Sequence, residues 1–180
     1  DDLAATLQRA SEHSDLQTGG VSLVWNNYAL RLMEARGGLA LLGGVDFEKD
    51  QRHFDQLRPA QRMNGWLYLA RLAMKLGAHD QSRRFLSNVP AEELARMPVR
   101  YGDLGLLCLV AELYEAFRDV EGAAALYAQL LPFAERNAVL PSFDYCGAVA
   151  GYLGILARLL GQPERASEHF ERAAAINRTL

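Results

Sequence analysis

Lysine is nearly missing from this 180-residue chain: Lys49 and Lys75 stand alone, and arginine supplies the other positive charges. The formal net charge is −3. The basic surplus that marks a nucleic-acid-binding domain is therefore absent. Cysteine is scarce too. Cys108 and Cys146 both lie in apolar helical context, where a thiol acts as a small hydrophobe, so two buried free thiols are expected, with a disulfide as the alternative. No stretch approaches the ~20 unbroken apolar residues of a membrane span. The N-terminus Asp1-Asp2 is acidic, unlike the basic start of a secretory signal. A cytoplasmic location is the expectation. The first residue is not methionine, and the chain is expected to be a fragment of something longer.

The signatures of several chemistries are missing as well. No Gly-x-x-x-x-Gly-Lys-[Ser/Thr] loop is available to cradle phosphates, and Gly37-Gly38 and Gly43-Gly44 bracket an apolar helical run instead of following a strand. No Gly-x-Ser-x-Gly elbow, Cys-x-x-Cys or His-Glu-x-x-His occurs. The four histidines are scattered at 13, 53, 79 and 169. Asp50 and His53 share a helix face at i, i+3, but no second Glu-x-x-His completes a di-metal site, so a solvated surface pair is the simpler reading. The reading is of a chain that is not an enzyme and needs no cofactor or metal.

What is present is a repeat. Leu153-Gly154, Gly161, Ala166, Phe170 and Ala173 are spaced like Val110-Ala111, Arg118, Ala123, Tyr127 and Leu130. Leu69-Ala70, Gly77, Ser82, Leu86 and Val89 follow the same offsets. A small residue high on one helix, a turn seven residues later and a small-aromatic-small stripe describe two antiparallel helices. Half the residues are hydrophobic, and the length is ample for one core. The expected fold is all-α, a right-handed α-α superhelix of about four pairs at 21–57, 59–87, 101–137 and 142–179, after a lead-in over 1–20.

Local signals set the helix ends. Asp46 is expected to cap a short helix carrying Phe47, Phe54 and Leu57, after a long buried helix from Val21 to about Leu42. Pro59 suits the first position of the next helix, Gly77 its turn, and Asp80 the cap of its partner. Residues 88–100 read as a connector with one helical turn at 91–96. Asp119 is expected to cap a helix kinked at Pro132, and Ser142 to cap the last pair, with Gly161 as its turn. No segment shows convincing strand alternation. Ala70 to Ala111 spans 41 residues and Ala111 to Gly154 spans 43. A tetratricopeptide unit has about 34, so these units are roughly two helical turns longer.

Tyr152-Leu153-Gly154-Ile155-Leu156-Ala157, followed by Leu160-Gly161, Ala166 and His169-Phe170-Glu171, resembles a subgroup of tetratricopeptide-like repeats. So does Leu126-Tyr127 followed by Leu130-Leu131-Pro132-Phe133-Ala134. The subgroup forms the helical-repeat region of large bacterial signalling regulators that carry an ATPase domain with a nucleotide cyclase or a LuxR- or SARP-type DNA-binding domain. The resemblance covers about residues 60–180. Arg118 departs from it, because the pattern usually has glycine there. It implies a non-catalytic module that senses a ligand or binds a protein or peptide, while chemistry and DNA binding lie in other domains.

Candidate binding residues follow from the first helix of each pair. Stepping away from the packing edge gives Asn64, Arg71 and Lys75, then Glu112 and Glu115, then Arg158. Arg71, Lys75 and Arg158 suit a carboxylate-bearing peptide end, and Asn64 its backbone. The same charges also suit a solvated helix face or salt bridges between repeats. A self-contained all-α enzyme with its site in the solenoid cavity, and an oligomerisation module, are the competing readings; Glu112 and Glu115 serve as acid and base only if a group opposite completes the site.

Overall fold

The computed structural model describes residues 47–55, 59–97, 99, 103–140 and 145–179. These fall into two units, one ending at Asn88 and the other beginning at Val89. Expectations for 1–46, including the lead-in, the long helix from Val21 and the Asp46 cap, lie outside the described residues, as do the side chains of Asp50, His53 and Phe54.

In the first unit α1 (Phe47–Asp55) precedes α2 (Pro59–Lys75) and α3 (His79–Leu86). Pro59 opens α2, where its missing N–H costs nothing. Along α2, residues Trp66 to Ala70, Leu72 and Ala73 are buried. Phe85 of α3 is buried against Trp66, with the rings stacked at 5.8 Å, and against Phe47 at 5.5 Å. Asp80 is not the cap of α3. Ala78 holds that position with no side-chain bond, and Asp80 lies in the first turn, where its charge still suits the positive helix end.

The second unit begins with α4 (Ala91–Arg96), the expected single turn, followed by α5 (Asp103–Phe117) and α6 (Val120–Leu130). α5 is apolar on nearly every side, with Leu104 through Ala111, Leu113 and Tyr114 buried, as a helix surrounded by neighbours must be. Asp119 caps α6 as expected, accepting from the Gly122 N–H at 2.9 Å. Gln129 of α6 donates to the carbonyls of Leu94 and Met97, tying down the end of α4.

The expectation of an unbroken all-α chain is corrected here. α6 does not continue through a kink at Pro132; it passes into one 3-10 turn at Leu131–Phe133. The chain then enters strand β1 (Asn137–Val139), paired antiparallel with β2 (Tyr145–Ala148) through a register irregularity at Ala138/Val139. The last pair accordingly starts at Val149, after β2, and not at Ser142: α7 spans Val149–Leu159 and α8 Pro163–Asn177. Gly105 explains how the strand fits. A Cβ there would lie 2.5 Å from the Val139 carbonyl oxygen, so β1 rests directly on the α5 backbone.

Three turns reproduce one geometry. Gly77, Arg118 and Gly161 have φ of 76°, 58° and 71°, the left-handed conformation. The following N–H in each case bonds the carbonyl five residues back: Ala78 to Ala73, Asp119 to Tyr114, Gln162 to Ala157, at 2.8, 3.0 and 2.9 Å. This is the Schellman ending of a helix. Five residues after each turn, Ser82, Ala123 and Ala166 are buried, and the Ser82 hydroxyl donates to the Ala70 carbonyl at 2.6 Å. The described residues are thus mostly helical, with one small two-stranded sheet. No helix among them is long and apolar enough to cross a membrane.

Candidate functional site

The six candidate residues divide between the units. Asn64, Arg71 and Lys75 lie along α2, with Asn64 and Arg71 half-buried and Lys75 exposed in the last turn. Spacings of seven and four residues place all three on one side of the helix. Lys75 also complements the negative helix end.

Glu112 and Glu115 lie on α5 and Arg158 on α7. The guanidinium of Arg158 donates through Nη2 to Glu115 Oε1. These residues occupy the same repeat position one unit apart, so the charges provide the salt bridge between repeats that competes with a peptide clamp. The Arg158 side chain is 61 % exposed and that of Glu115 31 %. Solvent screening holds such a pair to about 1 kcal/mol or less. Arg158 also lies 5.8 Å from the centre of the Phe170 ring, which favours a cation over its face.

The repeat's small-aromatic-small stripe places Phe170 for packing between successive pairs, but the ring is not buried there. It is 38 % exposed. One side of its ring lies on α7 at Gly154, where a Cβ would come within 2.6 Å of the ring. Tyr127, its counterpart one repeat earlier, is half-buried and meets His169 of α8. Their rings sit edge to face at 5.7 Å, and the hydroxyl lies 2.9 Å from His169 Nε2. Burial lowers the His169 pKa; Glu168 opposes this, while Arg172 and Arg165 add to it.

A second polar cluster escaped the sequence pattern. The Tyr145 hydroxyl and the Ala148 N–H both donate to Asn177 Oδ1, at 2.8 and 3.2 Å, joining β2 to the end of α8. Tyr152 on α7 donates to the Cys146 carbonyl at 2.7 Å. Tyr145, Cys146 and Ala148 belong to the insertion between pairs, so no repeat offset marks them, while Tyr152 and Asn177 come from α7 and α8.

Cys108 and Cys146 are free thiols, and Cys108 is buried. Burial pushes the Cys108 thiol well up, with the negative charges of Cys146 and Glu112 adding to the effect, so the nucleophilic thiolate is disfavoured. Burial, then the charge of Asp119, pushes the Tyr114 phenol up to about 12. Among the described residues no three His, Cys, Asp or Glu side chains gather to hold a metal ion. An open groove of about 670 Å³ in the first unit runs past Phe47, Glu48, Arg52, Asp55 and Arg84. It mixes both charge signs, and Arg52 and Glu48 lie 3.8 Å apart within it.

No protein-family model matches the chain, and neither a curated protein nor a solved structure matches it.

Proposed function

We propose that the chain is a non-catalytic, tetratricopeptide-like interaction module of a bacterial cytoplasmic regulator, binding a protein or peptide partner, or a small ligand, through the first helices of its pairs. The supporting observation is the threefold recurrence of one helix-turn-helix ending, with Gly77, Arg118 and Gly161 in the same left-handed conformation and equivalent hydrogen bonds. Pairs built to a common plan stack by burying one face on the next, and a stack presents a continuous row of helices suited to binding. On this reading Arg71 and Lys75 hold a carboxylate and Asn64 a peptide backbone group. Glu112, Glu115 and Arg158 form the corresponding face of the second unit. Arg158 shares its donors with Glu115.

Selection from a random peptide library displayed with free C-termini, followed by fluorescence anisotropy on the whole chain, tests this function. Arg71→Ala and Lys75→Ala are each expected to weaken a selected peptide by about tenfold, as loss of a charge-assisted hydrogen bond does. Selected peptides insensitive to Arg71 and Lys75 would remove this face from the account.

A further inference from the structure

We propose that Cys108 and Cys146 are a peroxide-responsive thiol pair, closing reversibly into a disulfide that fastens the β1–β2 hairpin to α5. The backbone sets the two cysteines around one contact. β1 rests on α5 at Gly105, where a Cβ would lie 2.5 Å from the Val139 carbonyl oxygen and 2.9 Å from the Leu140 nitrogen. Cys108 follows Gly105 by three residues, so it shares that flank of α5, about 4.5 Å further along the axis. Cys146 stands across from the same contact on the neighbouring strand, about 4.8 Å away.

The register pairs Ala138 with Gly147 and Val139 with Tyr145. Cys146 is therefore the extra residue of a bulge, outside the ladder, where a strand re-aims a side chain. The Tyr152 hydroxyl holds this residue by donating to its carbonyl at 2.7 Å. Electrostatics agrees with the placement. The charge of Cys146 acts on the Cys108 thiol more strongly than that of Glu112, which lies one helical turn from Cys108 on the same flank.

Exposure divides the roles. Cys146 is half-buried and Cys108 fully buried, so Cys146 meets the oxidant first. Burial also keeps Cys108 protonated, which makes it a poor competitor for peroxide. The Cys146 sulfur attacks one oxygen of hydrogen peroxide: an S–O bond forms, the O–O bond breaks, and hydroxide leaves as water with the thiol proton. The Cys108 sulfur then attacks the Cys146 sulfur. The S–S bond forms, the S–O bond breaks, and hydroxide leaves as water with the Cys108 proton. Two thiols are oxidised and one peroxide is reduced, giving one disulfide and two waters. Cys108 to Cys146 spans 38 residues, so the cross-link restricts the unfolded chain and favours the folded one.

Treatment of the 180-residue chain with a small excess of hydrogen peroxide, then unfolding in urea with iodoacetamide, tests the proposal. Mass spectrometry should find both cysteines alkylated before treatment and neither after it. The intact mass should fall by two hydrogen atoms, with one peptide pair joined through Cys108 and Cys146. Dithiothreitol should restore both thiols, and the oxidised chain should have the higher urea midpoint. Cys146→Ser, at the half-buried position, should leave Cys108 alkylatable after peroxide, and Cys108→Ser should leave Cys146 as a sulfenic acid trapped by dimedone. The measurement on the parent chain stands whether or not either variant folds. Both thiols still alkylatable after peroxide would overturn the proposal. So would oxidation of Cys146 with Cys108 left intact, or disulfides formed only between chains.

Discussion

Arg118 shows most clearly how one residue reports the repeat. It has φ of 58° at the position where the other two pairs have glycine. A side chain in the left-handed region costs about 1–2 kcal/mol, which glycine avoids. Arg118→Gly is therefore expected to stabilise the chain by about 1 kcal/mol, and Gly161→Ala to destabilise it by a similar amount, both read as shifts in urea midpoint. The Gly161 change alters no packing contact, since a Cβ there meets nothing within 4 Å. Phe170→Ala is expected to cost about 1–2 kcal/mol, less than a buried ring would, because part of the ring faces water. His169 adds a pH dependence. Its folded-state pKa is lowered, chiefly by burial, so the unfolded chain binds the proton more readily. Its contribution is full above about pH 6.5, the unfolded value, and is lost as pH falls through the folded one. The drop in urea midpoint between pH 7.5 and pH 5.5 should be smaller in His169→Gln than in the parent chain; an equal drop would clear His169 of that role.

At the scale of elements, what was legible depended on whether a segment belonged to the repeat. Gly77 and Gly161 mark their turns because a left-handed ending favours glycine, and Asp119 marks its helix start because a carboxylate can accept the free N–H. The Arg118 turn was placed by offset alone. Segments 131–140 and 145–148 depart from the expected helices because their order comes from tertiary contacts: β1 lies on Gly105, and β2 is tied to Asn177. A three-residue strand carries too little alternation to be recognised. The candidate face was legible as a set of charges on first helices, but the pairing of Arg158 with Glu115 depends on which repeats stack, and single-helix spacing does not contain it. The hairpin is the element most open to test. Gly105→Ala should push β1 off α5 at a cost of about 2 kcal/mol, the usual range for overpacking, and raise amide exchange at Ala138 and Val139. Unchanged protection at those amides would mean that the strand does not rest on the helix.

For the molecule as a whole, a repeated local plan is proposed to serve a binding role. Burial pushes the Cys108 thiol well up and the Tyr114 phenol up to about 12, and Glu115 pairs with Arg158. The first helices α2, α5 and α7 carry the charged residues proposed to bind, while α3, α6 and α8 complete the pairs. Nuclear magnetic resonance shift mapping of the labelled chain tests this division most directly, using a library-selected peptide with a free C-terminal carboxylate and the same peptide amidated. The account predicts shifts concentrated on α2 around Arg71 and Lys75, with smaller ones on α5 and α7, and a marked loss of affinity on amidation. Shifts confined to α3, α6 and α8, or equal binding of the amidated peptide, would contradict it.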